Sequence, residues 1–185
     1  METGGRLEFG VCAAVDVHHL GIGGARAVAV LAADVAFAQC WPNAPRSYLG
    51  YRRTGRASST CVSSRRCARS WTALAGWACL VVDGYADLDP GSRPGLGAHA
   101  HAEFGIPVIG VAKTRFRTAT HALPVLRGTS IRPLFVTAAG MPRTDAADQV
   151  RRMTGRYRLS DARRRADTLA QAGPPGLQCQ RVDRW

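Results

Sequence analysis

Two aspartates stand where carboxylates can do metal chemistry. Asp83 closes the apolar run Leu80-Val81-Val82 and is followed by Gly84, and Asp16 closes the run Val11-Cys12-Ala13-Ala14-Val15. Short valine-rich runs bounded by turn residues read as buried strands, and open α/β sheets place their chemistry at the carboxyl ends of strands. Two strand-end carboxylates on one edge of a sheet suit a hard divalent cation such as Mg²⁺. Phosphodiester hydrolysis is a reaction such a pair can serve. It needs hydroxide made from water near neutral pH and neutralisation of charge on a phosphorane-like transition state, and paired Mg²⁺ ions supply both. Many folds carry two such aspartates, so the pattern alone is not decisive. Lys113, the only lysine of the chain, also follows an apolar run and is placed to contact a phosphate. Read alone, a lysine there is more often a plain surface residue.

The elements that must hold these groups follow in order along the chain. Residues 8 to 18 read as a first strand, Gly21 to Gly24 as a turn, and Ala27 to Ala33 as the hairpin partner. The glycine cluster lacks both the dinucleotide fingerprint and the Walker pattern, so a turn is the better reading. His18 and His19, just past Asp16, read as a solvated turn rather than as ligands. A loop spans Tyr85 to Leu96, turning at Asp87-Leu88-Asp89-Pro90-Gly91. A short helix from Gly97 to Phe104 is stopped by Gly105, and a buried strand covers Ile106 to Val111. Thr114 to Ser130 reads as a basic loop, and Pro133 to Thr137 as a further strand. Asp145 to Met153 and Asp161 to Ala172 read as amphipathic helices with acidic starts. Strands alternating with helices after an N-terminal hairpin predict a mixed α/β sheet in one domain over residues 1–173, with a loose tail over 174–185.

A net charge of +12 and a pI near 10.7 point to a polyanionic partner, nucleic acid first among them. The cations are nearly all arginine, as a GC-rich coding sequence would produce. No apolar run reaches the roughly 18 residues of a membrane span, and the N-terminus lacks signal-peptide order, so a cytoplasmic protein with reduced thiols is expected. The six cysteines fit no zinc-ligand spacing.

Residues 40 to 80 differ from everything around them. They hold seven arginines, six serines, four of the six cysteines and three of the four tryptophans, with no aspartate or glutamate. The stretch therefore supplies +7 of the net charge, and from Arg46 to Ser70 neither helical nor strand periodicity is sustained. An arginine-rich nucleic-acid arm, a disordered insertion and a stretch translated out of frame all fit those residues.

The order of motifs favours the last. Val15-Asp16-Val17 with its hairpin, Val82-Asp83-Gly84, Arg93-Pro94-Gly95-Leu96-Gly97-Ala98-His99, Pro107 through Lys113 and Arg132 through Thr137 resemble the endonuclease V family, as do Arg158-Leu159-Ser160-Asp161 and Arg165-Ala166-Asp167. The resemblance covers residues 8 to 39 and 80 to 172. It implies a ribonuclease H-like mixed sheet flanked by helices. It also implies Mg²⁺-dependent cleavage of DNA or RNA on the 3′ side of inosine, one nucleotide removed, with no obligate protein partner. By that resemblance Asp16 and Asp83 are catalytic metal ligands and Lys113 a phosphate contact. Gly84 and Gly97 would lie near the pocket for the flipped hypoxanthine base, where close backbone approach suits glycine. Two departures stand out. A histidine that the family often carries after the strand matching Pro133 to Ala139 is absent, since Met141 follows Gly140. The family's Pro-Tyr-x-Pro-Gly wedge and the glutamate that gives a third metal ligand are also missing, the glutamate being expected near Val62.

Both reappear on paper when codons are shifted. Reading each new codon from the third base of the old one, with GC-rich synonymous choices, turns Arg52 to Ser64 into Pro-Tyr-Arg-Pro-Gly-Glu-Phe-Tyr-Leu-Arg-Glu-Leu. The glutamate falls across the codons of Val62 and Ser63. Some steps leave little choice: Trp71 before Thr72 forces aspartate, and Trp77 before Ala78 forces glycine. The expectation is that two compensating insertions or deletions put this stretch out of frame. If the chain is made as it stands, cleavage should be weak or absent. The competing reading is a relative that only binds nucleic acid, through Arg52, Arg53, Arg56, Arg65, Arg66 and Arg69.

Overall fold

The computed structural model describes residues 10–20, 24–40, 49–52 and 77–172 of the 185. A seven-stranded sheet runs in the order β3-β2-β1-β4-β5-β7-β6. Its strands are β1 Val11–Leu20, β2 Gly24–Ala32, β3 Leu49–Arg52, β4 Trp77–Asp83, β5 Val108–Ala112, β6 Leu123–Val125 and β7 Leu134–Ala139. β1 and β2 form the antiparallel hairpin, and β1, β4 and β5 lie parallel at the centre. β7 returns antiparallel to β5, with β6 at the far edge. The helices are α1 Leu96–Phe104, α2 Arg143–Arg152 and α3 Asp161–Ala172. This is the mixed sheet flanked by helices that the element pattern predicts, and the ribonuclease H-like arrangement that the resemblance implies. Among the described residues, no helix is long and apolar enough to cross a membrane.

The central strands are apolar on both faces because both faces are covered. One face sets Ala14, Val81, Ile109, Val111 and Val136 beneath Ala146 and Val150 of α2 and Ala162 and Ala166 of α3. The other packs Ala13, Val15, Leu80, Val82 and Val108 with Ala100 of α1. The first helix does stop at Gly105, where the C-cap falls.

Three expectations need correction. Thr114 to Ser130 is not all loop, since Leu123–Val125 pairs with β7 as an edge strand. Three residues are too short to show alternation. Strand order is also found inside the arginine-rich stretch, where the backbone of Leu49–Arg52 extends the edge of β2. His18 and His19 do not turn after Asp16; their backbone continues β1 and pairs with Arg26 and Ala25. The glycine turn over 21–23, residues 41–48 and 53–76, and the tail from 173 onward lie outside the described residues.

Candidate active site

Register brings the aspartates together. Val15 pairs with Val82 across β1 and β4, so Asp16 and Asp83 are the next residues on neighbouring parallel strands. Asp83 in turn lies opposite Val111 of β5, and Lys113 stands just past that strand's end. Side chains alternate along a strand. Asp16 therefore shares the face of Cys12 and Ala14, Asp83 that of Cys79 and Val81, and Lys113 that of Ile109 and Val111. That face is the one covered by α2 and α3.

Helix α3 adds a residue that motif reading missed. Arg163 is 6% exposed, and its Nη2 lies 2.8 Å from Asp83 Oδ1. Its Nη1 donates to the carbonyls of Val82 at 3.0 Å and Val111 at 3.1 Å. One guanidinium thus ties the carboxyl ends of β4 and β5 together and fixes the Asp83 carboxylate. The helix start aims it: buried Ser160 precedes the first turn, and its Oγ accepts from the Arg163 amide at 3.4 Å. The opposite oxygen, Asp83 Oδ2, is 3.2 Å from Lys113 Nζ. The signal was present in the sequence, because Arg163 falls at helical spacing with Ala162, Ala166 and Ala170, the buried face of α3. An arginine on such a face needs an acid, and Asp83 supplies it.

The two aspartates are held in opposite electrostatic states. Burial pushes Asp83 up, but Arg163 and Lys113 outweigh it and hold its carboxyl below the usual value. Asp16 moves the other way: burial raises its pKa, and the charges of Asp83 and Asp167 raise it further. Asp167 lies one turn beyond Arg163 on α3, and its charge acts on Asp16. Ionising Asp16 therefore costs stability, and that cost sets in as pH rises through its raised folded pKa. Asp16→Asn should unfold a few degrees above the parent chain at pH 7 without metal, and the two should converge near pH 3. Thermal-shift measurement at the two pH values checks this. A variant less stable than the parent at pH 7 would sink the repulsion argument.

Carboxylates that repel one another at a sheet edge suit a hard cation, and Asp16 and Asp83 are the residues that would hold it, with Asp167 nearby. The fit is partial. Asp83 is already engaged on both oxygens, and among the described residues no group of three acidic, histidine or cysteine side chains converges for a metal.

A cavity of about 390 Å³ opens beside Asp83, lined by Gly84, Tyr85, Lys113, Arg115 and Phe116 among others. Gly84 has φ +119°, a conformation that residues with side chains rarely adopt, which lets the chain turn sharply after Asp83. The Tyr85 hydroxyl donates to the Thr114 carbonyl at 2.7 Å and accepts from the Phe116 amide at 2.8 Å, which fixes the far wall. Gly97 does not line this cavity. It lies in the packing beneath, where a Cβ would come within 2.8 Å of Ala86 Cα. Gly110 was not singled out, yet it lets the 84–86 turn rest on β5: a Cβ there would meet the Ala86 amide nitrogen at 2.5 Å.

No family model and no curated relative matches the chain. Solved structures do. The chain is similar to endonuclease V from Streptomyces avermitilis, at 23% identity over 92% of this chain and 84% of that one, with a TM-score of 0.68. Ciona intestinalis endonuclease V, solved with a 24mer DNA containing an inosine followed by a ribo-adenosine, gives 14% identity, 89% and 85% coverage and a TM-score of 0.69. The human enzyme gives 18% identity, 89% and 84% coverage and a TM-score of 0.60. At these identities the likeness is one of fold.

Proposed function

We propose that this chain derives from a Mg²⁺-dependent endonuclease of the endonuclease V type, which cleaves DNA on the 3′ side of deoxyinosine at the second phosphodiester bond. The observation that carries the reading is the placement of Asp16 and Asp83 on adjacent parallel strand ends with Lys113 beside them. The shared fold, and the inosine-containing DNA in the Ciona complex, support the choice of substrate. Bound Mg²⁺ would supply a water of lowered pKa and charge neutralisation at the phosphate. Asp16 and Asp83 would hold it, Arg163 keeping Asp83 in place. Lys113, 41% exposed, is free on its outer side to meet a phosphate oxygen. The cavity floored by Gly84 and walled by Tyr85 and Phe116 is the place for an extruded base, whose ring those aromatics can contact.

The chain as it stands lacks a carboxylate anywhere in residues 40 to 80. Two ligands, one of them already neutralised, hold a cation poorly. Nicking of an inosine-containing duplex with Mg²⁺ should therefore be slow or absent, and binding should remain. Gel analysis of a labelled duplex, with an inosine-free control, decides this. Rapid inosine-dependent nicking would overturn the assignment of an incomplete site. Metal-independent, salt-sensitive binding lost with Arg52, Arg53, Arg56, Arg65, Arg66 and Arg69 would favour a binding protein instead.

A further inference from the structure

Beyond the carboxylates, on the other side of Asp167, lies a second groove of about 500 Å³. Its walls include Ser130, Tyr157, Arg158, Arg164 and Asp167. Tyr157 is 44% exposed. Two guanidiniums stand against that ring, Arg164 at 4.3 Å and Arg156 at 4.9 Å from its centroid. The Arg156 Nη2 also reaches the Tyr157 hydroxyl at 2.8 Å.

The loop carrying Tyr157 is built rather than loose. Arg127, 5% exposed, donates to the carbonyls of Tyr157 at 3.2 Å, Arg158 at 3.3 Å and Gly155 at 3.3 Å, and to that of Met153. Arg158 is anchored in turn to the carbonyls of Lys113 and Pro133. The groove is thus braced to the strand end that carries Lys113. Asp167, on its wall, lies one turn beyond Arg163, which contacts Asp83, so the groove also adjoins the carboxylate pair.

An exposed ring flanked by guanidiniums matches one chemistry. Unpaired bases stack on aromatic rings and guanidinium planes, while neighbouring cations take the phosphates. We infer that this groove is a binding track for single-stranded nucleic acid, with a base stacking on the Tyr157–Arg164 platform and the backbone running on toward the carboxylates. The inference rests on nucleic acid being the ligand in the reading above, and not on cleavage.

The test is binding of the full chain to a labelled oligothymidylate of about 12 nucleotides, followed by fluorescence anisotropy. Salt of about 0.3 M screens loose contacts from the arginine-rich stretch. Tyr157→Ala should weaken binding roughly tenfold, while Tyr157→Phe stays within about twofold of the parent. The salt slope should be unchanged in Tyr157→Ala and reduced by about 0.7 in Arg164→Ala. Tyr157→Ala binding like the parent would overturn the inference, as would equal losses from Ala and Phe. A chain rewritten in the shifted frame over residues 40–79 that never nicks inosine-containing DNA, yet shows this pattern, would refute the nuclease reading and leave the track standing.

Discussion

Replacing Arg163 by methionine should lower Tm by roughly 5–15 °C, from a loss of about 2–4 kcal/mol in a domain of this size. Methionine fills most of the volume, so the loss measures the polar contacts. The substitution leaves the Val82 and Val111 carbonyls without the donor that joins them and strips Asp83 of its closest cation. The estimate sits low in the range for breaking a buried pair because Asp83 is 32% exposed and keeps Lys113. Its pH dependence has a definite sign. The folded pKa of Asp83 is depressed below 3.8, so the stability it contributes is full above that value and is lost as pH falls through the folded pKa. Parent and variant melting curves should therefore differ most near neutral pH and draw together below about pH 4. Arg163→Lys should recover part of the loss, since an ammonium can meet Asp83 but cannot reach three acceptors with the geometry of a fork. A neutral-pH Tm within a degree or two of the parent would show that the clamp is ornamental.

What could be read from the chain divides along physical lines. β4 and β5 were legible because buried parallel strands leave uninterrupted apolar runs, and their ends pointed to Asp83 and Lys113. The helix over Asp161–Ala172 was legible from spacing, but its role was not. Seeing that Arg163 reaches Asp83 requires knowing that α3 packs on β1 and β2 with Arg163 reaching the carboxyl end of β4, and that is tertiary information. Asp167 sat inside a quoted motif and still went unassigned for the same reason. β6 was missed because three residues carry no period. Gly110 was missed because its demand comes from Ala86 and Thr137, distant in sequence and adjacent in space. Gly97, which the resemblance sets near a base pocket, packs closely on Ala86 and Val108, a contact that only the fold reveals.

Rewriting residues 40–79 in the shifted frame should raise inosine-dependent nicking by at least about 100-fold over the chain as it stands, with Mg²⁺ present in both. The size follows from what a metal contributes: several kcal/mol of transition-state stabilisation, each 1.4 kcal/mol being tenfold. Asp16 and Asp83 are in place, and Asp16 is raised by like charges that a bound cation would relieve. The missing part is a further hard ligand, and the shifted frame restores a glutamate next to an arginine at the spacing expected before Asp83. Val62→Glu alone is the informative control. It supplies a carboxylate without the segment that would carry it, so it should recover far less than the rewritten chain. The rewritten chain should also gain Mg²⁺-dependent thermal stabilisation, a readout independent of turnover. Adding Asp83→Asn should then abolish both gains, because the site would again lack a ligand. Equal nicking by the two chains would mean that the arginine-rich stretch is genuine and the carboxylates suffice. Nicking by neither, with both folded, would turn attention to the Tyr157 groove and to binding as the activity of this fold.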